Sequence, residues 1–376
     1  MDSYLTAEIS AAAVRWNIGL LRGRLPRGCK LCAVVKADCY GHGLRTLLDV
    51  MVPEADLLGV ATPDEALLLR RLGYAGEVLV FFSPCAYAAG AAMHEALDEL
   101  ISRNVTLTLA TPQEVQAVEQ SARRVGRKAT IHVKVDSGMG REGISAEQLP
   151  AVTEEVRRHA GVALAGVYSH FATADEADKQ YAHEQFVRFK SAIKLAGAPA
   201  GLALHVANSA AVIDLPETHL DMVRPGIALY GYQPSDEMAT HLPLRPAMRL
   251  IGRLIEVKRL PAGSPCGYGR THTLQRDSRV GLVPIGYGDG YLRSLSGRST
   301  MRVGERDVPV CGRISMDQTI VDLTDVPAAA VGDEVEIISP DPAAPHSVEN
   351  LARLAGTIPY EITCRLGRRI RRTLVD

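Results

Sequence analysis

A single lysine stands at the end of an apolar run in the first tenth of the chain. Residues 31–35 are apolar, Lys36 follows them, and the chain then passes through the segment YGHG at 40–43. The apolar run predicts a strand over 31–36 that is buried on both faces, and the glycines predict a turn before a helix that begins near Leu44. Burial lowers the pKa of an ammonium, and a neutral amine can attack a carbonyl to form a Schiff base. Lys36 is therefore a candidate for covalent chemistry, the alternative being a strand-end lysine that reaches solvent.

Other chemically capable side chains follow other strand-like runs. Lys134 and Arg141 come at or after the fifth run, His170 ends the sixth, Ser209 follows the seventh, and Arg224 lies in the eighth. Singly, each of them has a structural explanation, such as a hydrogen-bonded core histidine or an ion-pair partner. Active sites of β/α barrels form where the carboxyl ends of the strands meet. Because the runs precede these side chains in the same way, we expect them to converge on one mouth.

The elements that must position these side chains are eight strand-like runs separated by helical segments. The predicted strands cover residues 31–36, 57–61, 78–82, 105–109, 130–135, 163–169, 202–206 and 222–230. Eight β/α units in about 200 residues are the count of a TIM-type (β/α)8 barrel. A doubly wound open sheet is the alternative, but it needs fewer strands and a switch point in their order.

The pattern changes between residues 233 and 246, where three prolines fall in a polar segment. This segment predicts a linker between a barrel domain over 1–240 and a second domain over 241–376. The second domain is predicted to be mainly β, with one clear helix that Ser347 caps and that runs to Leu354. Residues 1–9 contain a short predicted strand that is a candidate to join this second domain. Further strands are predicted at 250–257, 280–285, 318–323 and 334–338, with a hairpin about 304–305.

Composition restricts the classes of function. With 376 residues, of which 47% are hydrophobic, the chain can bury a large core. A net charge of −1 argues against nucleic acid or an anionic membrane as the main partner, although five arginines lie between residues 365 and 372. No apolar run reaches the roughly 20 residues of a membrane span, and the start lacks the pattern of a signal peptide. Seven cysteines at irregular spacing favour a reducing compartment. We therefore expect a cytoplasmic protein, and no metal site is predicted.

Nine motifs carry a resemblance to a known family. They are VVKADCYGHG, VKVDSGMGREG, YSHFATADE, HVANSAA, VRPGIALYG, CGYGRT, IGYGDGYLR, GRISMDQ and TIPYE. In this order, and over nearly the whole chain, they resemble the alanine racemases, which are pyridoxal-phosphate enzymes built from a barrel and a β domain. The resemblance implies racemisation of L- and D-alanine with pyridoxal 5'-phosphate as the cofactor.

The resemblance also implies which residues hold the cofactor. It makes Lys36 the lysine that carries pyridoxal phosphate, and it places Arg224 against the pyridine nitrogen, with His170 linked to Arg224. The cofactor phosphate is implied to lie against Tyr40, Ser209, Gly226, Ile227 and Tyr360. An arginine cannot give up its proton in a protein, so the pyridine nitrogen it faces should stay unprotonated.

Racemisation needs a base on each face of Cα, and the family supplies a lysine and a tyrosine. The matching residues are Lys36 and Tyr268, and the tyrosine comes from a partner chain, so the resemblance implies a homodimer with shared active sites. His170 is implied to lie beside that tyrosine. The implied substrate-binding residues are Arg141, Met316 and Tyr287. Lys134 matches a lysine that is carbamylated in many members and then positions the arginine.

Two residues depart from the family pattern. Glu142 stands where the family usually has an apolar residue, which concerns the packing beside Arg141, and Ser315 stands where cysteine is common. Three other functions compete with the resemblance. Gly138-x-Gly140-x-x-Gly143 formally matches the fingerprint of an NAD-dependent oxidoreductase, but the next strand ends in His170, with no acidic residue there to hold a ribose. A barrel that binds the cofactor without turnover would lack a β domain, and a broader amino-acid racemase or another enzyme on the same fold is the nearest alternative.

Overall fold

A computed structural model of the chain describes residues 4–87, 90–197 and 201–376. The first strand, β1 (Leu5–Ser10), leads directly into helix α1 (Ala11–Arg22), because the side chain of Ser10 accepts a hydrogen bond from the Ala13 N–H and caps the helix. Residues 1–3 of the predicted N-terminal strand lie outside the described residues.

Eight parallel strands and the helices between them form the barrel. The strands are β2 (Lys30–Val34), β3 (Leu57–Val60), β4 (Val78–Val80), β5 (Leu107–Leu109), β6 (Ala129–Lys134), β7 (Val162–Tyr168), β8 (Ala203–His205) and β9 (Met222–Val223). The helices are α2 (Lys36–Tyr40), α3 (Leu44–Met51), α4 (Pro63–Arg71), α5 (Pro84–Tyr87), α6 (Gly90–Ser102), α7 (Glu114–Val125), α8 (Leu149–Arg158), α9 (Gln180–Leu195) and α10 (Ser209–Asp214). Each of the eight predicted strands overlaps an observed one, so the predicted barrel is confirmed.

The strands close into a ring through two runs and two contacts. One run has the order β4-β3-β2-β9 and the other the order β5-β6-β7-β8. A parallel bridge between Leu79 and Thr106 joins β4 to β5, and the Asp221 N–H donates to the Leu204 carbonyl between β8 and β9. Every residue of β3, β4 and β5 is buried, as expected for strands covered on both faces.

The eighth predicted strand was too long. Only Met222 and Val223 are extended, and residues Ile227–Tyr230 form a 3-10 turn instead. Pro225 explains the difference, because a proline has no N–H to continue a strand ladder. The strand therefore stops just before Arg224, which places that side chain at the mouth of the barrel rather than within its wall.

The second part of the chain is mainly β, as predicted. Its strands are β10 (Met248–Arg253), β11 (Glu256–Leu260), β12 (Pro265–Cys266), β13 (His272–Thr273), β14 (Ser278–Val283), β15 (Thr300–Val303), β16 (Arg306–Pro309), β17 (Thr319–Asp322), β18 (Glu334–Ile338) and β19 (Arg371–Val375). Two helices, α11 (Val348–Ala355) and α12 (Pro359–Cys364), complete it. The hairpin predicted about 304–305 is the β15–β16 pair, and Ser347 caps α11 as predicted.

Two predictions for this part were wrong in detail. The run 250–257 is two strands, because the chain leaves one sheet for another: the Leu254 N–H donates to Asp333 and the Ile255 N–H to Leu282. The sequence also indicated a single helix, whereas α12 is a second one, opened by Pro359 at its first position.

A six-stranded sheet ties the two ends of the chain together. Its order is β16-β15-β18-β10-β1-β19, with β1 paired antiparallel to β10 and parallel to β19. The N-terminal strand thus lies one strand from the edge of a sheet whose other strands all come from residues 248–375. No helix in the described part of the chain is long and apolar enough to cross a membrane.

Candidate active site

Lys36 lies two residues beyond the end of β2 and begins a left-handed turn. The φ angles of Ala37, Asp38 and Cys39 lie between 51° and 56°, a region that costs non-glycine residues about 1–2 kcal/mol each. Two carboxylates hold this turn: Glu65 accepts from the Ala37 N–H at 2.7 Å, and Asp38 accepts from the Leu44 N–H at 2.6 Å. The predicted strand was therefore too long by two residues, and the lysine stands on a constrained turn.

Burial lowers the pKa of Lys36, and the Arg141 guanidinium lowers it further, whereas Glu65 raises it. The first two effects favour the neutral amine that attack on a carbonyl requires. Glu65 was recognisable in the sequence only as the third residue of a helix cap, in TPDE. In the structure it completes that cap with Thr62 and also reaches the turn after Lys36.

An oxygen-lined corner faces the same cavity. The Ser209 Oγ accepts from the N–H groups of Gly226 and Ala228, at 2.8 and 3.4 Å. Any side chain at position 226 would collide with the Tyr40 hydroxyl, because a Cβ built there lies 2.2 Å from that oxygen. The rings of Tyr40 and Tyr360 are 6.0 Å apart. This corner brings three hydroxyl groups and a turn of backbone amides together, which suits a phosphate group.

Arg224 is buried, with 5% of its surface exposed, and its guanidinium is held from several sides. It donates to His205 Nδ1 at 2.7 Å and to the Ser169 carbonyl at 2.7 Å, and it lies 3.3 Å from His170 Nδ1. Burial, and then the charge of Arg224, lower the pKa of His170 and of His205 far below the usual value. Both imidazoles are therefore neutral beside a cation.

The tautomers of these histidines follow from their partners. A guanidinium can only donate, so Nδ1 of His205 must accept, and its Nε2 carries the proton. That Nε2–H then donates to His132 Nδ1, 2.8 Å away, and burial lowers the pKa of His132 to about 3. By the same reasoning His170 carries its proton on Nε2. A neutral imidazole held in this tautomer can donate one hydrogen bond towards a reacting group.

Tyr168 is a residue of this site that the sequence did not reveal. Its ring stacks on His205 at 4.8 Å, and two cations lie over it, Lys134 Nζ at 5.8 Å and Arg224 at 5.1 Å from the centroid. Its hydroxyl is paired with Thr108 at 2.9 Å. The available signal was its position in GVYSH, two residues before His170, but an apolar strand residue there is equally typical of a core.

Lys134 and Glu142 form an ion pair in the wall of the cavity. The Lys134 Nζ lies 2.7 Å from a Glu142 oxygen, and their side chains are 8% and 24% exposed. Arg141, next to Glu142 in sequence, lines the same cavity, and its guanidinium has no ion-pair partner in the described residues. An unpaired guanidinium at the edge of a cavity is available to a carboxylate ligand.

Most of the predicted site residues meet in one cavity of about 780 Å³ at the barrel mouth. Ten of them line it: Lys36, Tyr40, Lys134, Arg141, His170, Ser209, Arg224, Gly226, Ile227 and Tyr360. Phe81, Phe82 and Ser83 also line it, and no motif indicated them. The side chains that follow the strand ends therefore lie together at the barrel mouth, as the sequence led us to expect.

Three predicted residues do not line this cavity. Tyr268, Tyr287 and Met316 belong to the β part of the chain and expose 68%, 44% and 55% of their surface. Tyr268 stands on a 3-10 turn after β12, between Gly267 and Gly269, which both have positive φ. Tyr287 and Met316 lie side by side, because the Gly288 N–H donates to the Met316 carbonyl at 2.8 Å.

A lysine and a phosphate-binding corner at the mouth of a (β/α)8 barrel, followed by a β domain, define the class of barrel enzymes that use pyridoxal phosphate. The donor set fits that cofactor: an amine for its aldehyde, hydroxyls and amides for its phosphate, and Arg224 for its ring. Comparison with known proteins then identifies the family. The model of the alanine racemase N-terminal domain matches residues 9–234, and that of the C-terminal domain matches residues 247–374.

Curated relatives and solved structures agree with these matches. The chain is 40% identical to an alanine racemase from Desulfovibrio desulfuricans, with 100% of this chain and 99% of that protein covered. It is 40% identical to alanine racemase 2 from Caldanaerobacter subterraneus, over 98% and 94%. The crystal structure of alanine racemase from Streptomyces lavendulae superposes with a TM-score of 0.92 at 37% identity, covering 100% and 98%. The chain belongs to the alanine racemase family, whose members are pyridoxal-phosphate-dependent isomerases.

Proposed function

We propose that this protein interconverts L- and D-alanine with pyridoxal phosphate bound covalently to Lys36. The observation that carries the proposal is the position of Lys36, a lysine of lowered pKa on a constrained turn inside a cavity that also holds a phosphate-binding corner. When bound, the cofactor supplies an electron sink that makes the α-hydrogen of alanine acidic. All other steps fall to side chains of the protein.

The cofactor phosphate is proposed to bind at the corner made by Tyr40, Ser209, Gly226, Ile227 and Tyr360. Glycine is required at position 226 because the Cβ of any other residue would occupy the place of the Tyr40 hydroxyl. Arg224 is proposed to face the pyridine nitrogen. Its guanidinium is fixed by His205 and Ser169, so it can offer an N–H but cannot transfer a proton. An arginine at this position leaves the pyridine nitrogen unprotonated, so the ring withdraws electrons less strongly. Weaker withdrawal favours proton exchange over decarboxylation or transamination.

Two bases are proposed to act on opposite faces of Cα, Lys36 on one side and the partner subunit's Tyr268 on the other. A phenol is a poor base near neutral pH unless its surroundings stabilise the phenolate. His170 is positioned to do so, since its Nδ1 faces Arg224 and its Nε2–H remains to donate to the phenol oxygen. The exposure of Tyr268 in a single chain supports a role in a neighbouring site.

Arg141 is proposed to bind the substrate carboxylate, because its guanidinium is unpaired among the described residues and lines the cavity. The backbone of Met316 and the side chain of Tyr287 are proposed to complete the substrate site from the partner subunit. We therefore propose that the protein is a homodimer whose two active sites are each built from both chains. We also propose that this dimer is located in the cytoplasm. In that dimer, residues 1–240 form the cofactor-binding domain and residues 241–376 the domain that reaches across.

The purified protein should be tested for racemisation of alanine, serine and other small amino acids. Borohydride reduction followed by peptide mass spectrometry should find the cofactor adduct on Lys36. Lys134, the other lysine that lines the cavity, is the internal control and should remain unlabelled. An adduct on Lys134 or a lack of alanine racemisation by the holoenzyme would reject the proposed site or the proposed reaction.

A further inference from the structure

The charge balance of the cavity depends on one carboxylate. Among the described residues that line it are four basic side chains, Lys36, Lys134, Arg141 and Arg224, and Glu142 alone carries a carboxylate. Glu142 uses both oxygens: one lies 2.7 Å from Lys134 Nζ, and the other lies 3.4 Å from the Ser83 N–H. The sequence showed Glu142 only as a departure from an apolar position, with no sign of its partner.

The loop between Lys134 and Glu142 fixes their separation. The Asp136 carboxylate accepts from the N–H groups of Gly138, Met139 and Gly140 at 2.8–3.2 Å, which closes the loop. The Ile144 N–H then donates to the Lys134 carbonyl at 2.9 Å and brings the chain back to the end of β6. The pair is therefore built by the backbone and is not a chance meeting of two flexible side chains.

Glu142 opposes the effects that lower the pKa of Lys134. Burial lowers the pKa of Lys134, the hydrogen bond and charge of Glu142 raise it, and Arg141 and Arg224 lower it. Without the carboxylate, Lys134 would stand as a buried amine among cations, and its ammonium form would be strongly disfavoured. With the carboxylate, the ammonium has a close and geometrically fixed partner.

A carbamate on Lys134 would need that ammonium to lose its proton. In carbamylation the lone pair of Nζ forms a C–N bond with carbon dioxide, one C=O electron pair becomes the negative charge, and an Nζ proton leaves to solvent. The product would place a second anion beside Glu142, and like charges at such a distance repel. The Lys134–Glu142 pair is already neutral and held in place without modification.

We propose that Glu142 is a positioning residue that makes a carbamate on Lys134 unnecessary: it holds Lys134 as an unmodified ammonium and so fixes the loop that carries Arg141, the arginine proposed to bind the substrate. The proposal rests on the proposed role of Arg141 in binding the alanine carboxylate. It follows that this protein racemises alanine independently of carbon dioxide.

The test compares the native holoenzyme with Glu142→Gln, which keeps the size of the side chain and removes its charge. Glu147→Gln is the matched control, since Glu147 is exposed and lies in the turn after the same loop. Each protein is freed of carbon dioxide and then given ¹³C-bicarbonate, with carbamate followed by ¹³C NMR and alanine kinetics measured in both states. Lys134→Met identifies any signal that belongs to Lys134.

The native protein and Glu147→Gln should show no Lys134 carbamate and no response to bicarbonate. Glu142→Gln should raise KM for alanine on the order of 10-fold, more than it lowers kcat, since a charged hydrogen bond near the substrate arginine is lost. Bicarbonate should then label Lys134 in this variant and bring KM back towards the native value. Should Glu142→Gln fail to fold, Glu142→Leu, with the apolar character usual in the family, takes its place.

A carbamate signal in the native protein that disappears in Lys134→Met would overturn the proposal. So would an unlabelled Lys134 in Glu142→Gln, or kinetics of that variant equal to those of Glu147→Gln. These outcomes are distinct from a failure of the proposed function. A native protein that does not racemise alanine rejects the function, whereas a racemase that carries the carbamate rejects only the role of Glu142.

Discussion

The barrel cavity and the six-stranded sheet both gather charged side chains, but they balance them in opposite ways. In the cavity, four basic side chains face a single carboxylate, Glu142, among the described lining residues. In the sheet, one cation, Arg249 on β10, contacts Glu8, Glu334 and Glu336 at 3.2, 2.6 and 2.5 Å. An excess of positive charge costs stability and is useful only where an anionic ligand will enter. The sheet cluster, in contrast, has three carboxylates around one cation, and we expect it to contribute to stability rather than to ligand binding.

The two regions also differ in the charged groups that lie next to their histidines. In the cavity, His170 and His205 lie beside Arg224 and are kept neutral. In the sheet cluster, His346 is fully buried and its Nε2 lies 2.9 Å from a Glu336 oxygen. A neutral histidine next to a cation accepts a hydrogen bond from it and can donate one elsewhere, whereas the histidine next to Glu336 is placed to donate a hydrogen bond to a carboxylate. The following experiments separate these functional and structural uses of charge.

The largest effect is expected from subunit mixing. Lys36→Ala and Tyr268→Ala should each be inactive alone, because each lacks one of the two proposed bases. If the two bases come from different chains, each hybrid dimer has one wholly native site. Equal mixing should therefore restore about a quarter of the native activity. Activity is measured before and after exchange, and exchange itself is followed with differently tagged subunits; demonstrated exchange without recovery would place both bases on one chain.

Replacing Arg249 by alanine should reduce stability without changing catalysis. Three carboxylates would lose their shared cation in a partly buried site, so the free energy of unfolding should fall by about 2–3 kcal/mol, between the usual values for exposed and buried pairs. Arg259→Ala, at an exposed arginine on β11, is the control and should change stability by less than about 0.5 kcal/mol. Denaturant unfolding and kcat are the measurements. A loss of kcat at unchanged stability in Arg249→Ala would contradict the purely structural role given to the sheet cluster.

The sheet cluster should also set the acid limit of stability. Burial alone would raise the pKa of Glu336, but hydrogen bonds from His346, Arg249 and Ser339 lower it to about 2. Since the folded state keeps this carboxylate ionised at lower pH than the unfolded chain, the stabilisation is complete above the unfolded-state pKa of about 4.3 and is lost as pH falls towards 2.

Glu336→Gln removes this titration, so its stability should fall less steeply with acid than that of the native protein. The difference between the two proteins should shrink by about 2 kcal/mol between pH 6 and pH 2, a value reduced for partial exposure. Unfolding curves at a series of pH values give the comparison. Parallel stability profiles for the two proteins would show that Glu336 is not responsible for the acid limit.

The smallest effect concerns substrate choice. Tyr360 lines the cavity with its ring 6.0 Å from that of Tyr40, so we expect the ring to limit the size of the substrate side chain. We expect alanine to be preferred over serine, and Tyr360→Asn should narrow the gap by about 1–2 kcal/mol in kcat/KM. Tyr4→Ala, at an exposed tyrosine just before β1, is the control. Equal rates on both amino acids in the native protein would exclude this role.

The sequence predicted the barrel and most of the cavity because periodicity and turns are local signals. Eight apolar runs specified the strands, and residues that directly follow strands converge wherever parallel strands converge. It did not predict the end of the eighth strand, where Pro225 interrupts pairing, or the switch of sheets at Leu254. Both depend on which neighbouring strand is available, and this is not encoded in one segment.

Contacts between distant residues were the least predictable part of the site. Nothing in TPDE indicated that Glu65 would reach the Ala37 N–H, and nothing in GMGREG indicated that Glu142 would pair with Lys134. The position of Tyr168 was unpredictable for the same reason. The two cations over its ring, Lys134 and Arg224, come from β6 and from the segment after β9. Local patterns identified the reactive groups, but the contacts that shift their pKa values depend on how loops and strands fold back on one another.

The central claim is that Lys36 and Tyr268 act on opposite faces of Cα, and isotope exchange in Tyr268→Ala tests it most directly. In deuterated water this variant, still carrying its cofactor on Lys36, should lose racemisation by about 10²–10⁴-fold. It should continue to exchange the α-hydrogen of D-alanine with retention, because Lys36 remains on that face. It should exchange L-alanine far more slowly, because no base remains on the other face. Comparable exchange of both enantiomers would contradict the account, since Lys36 or water would then reach both faces.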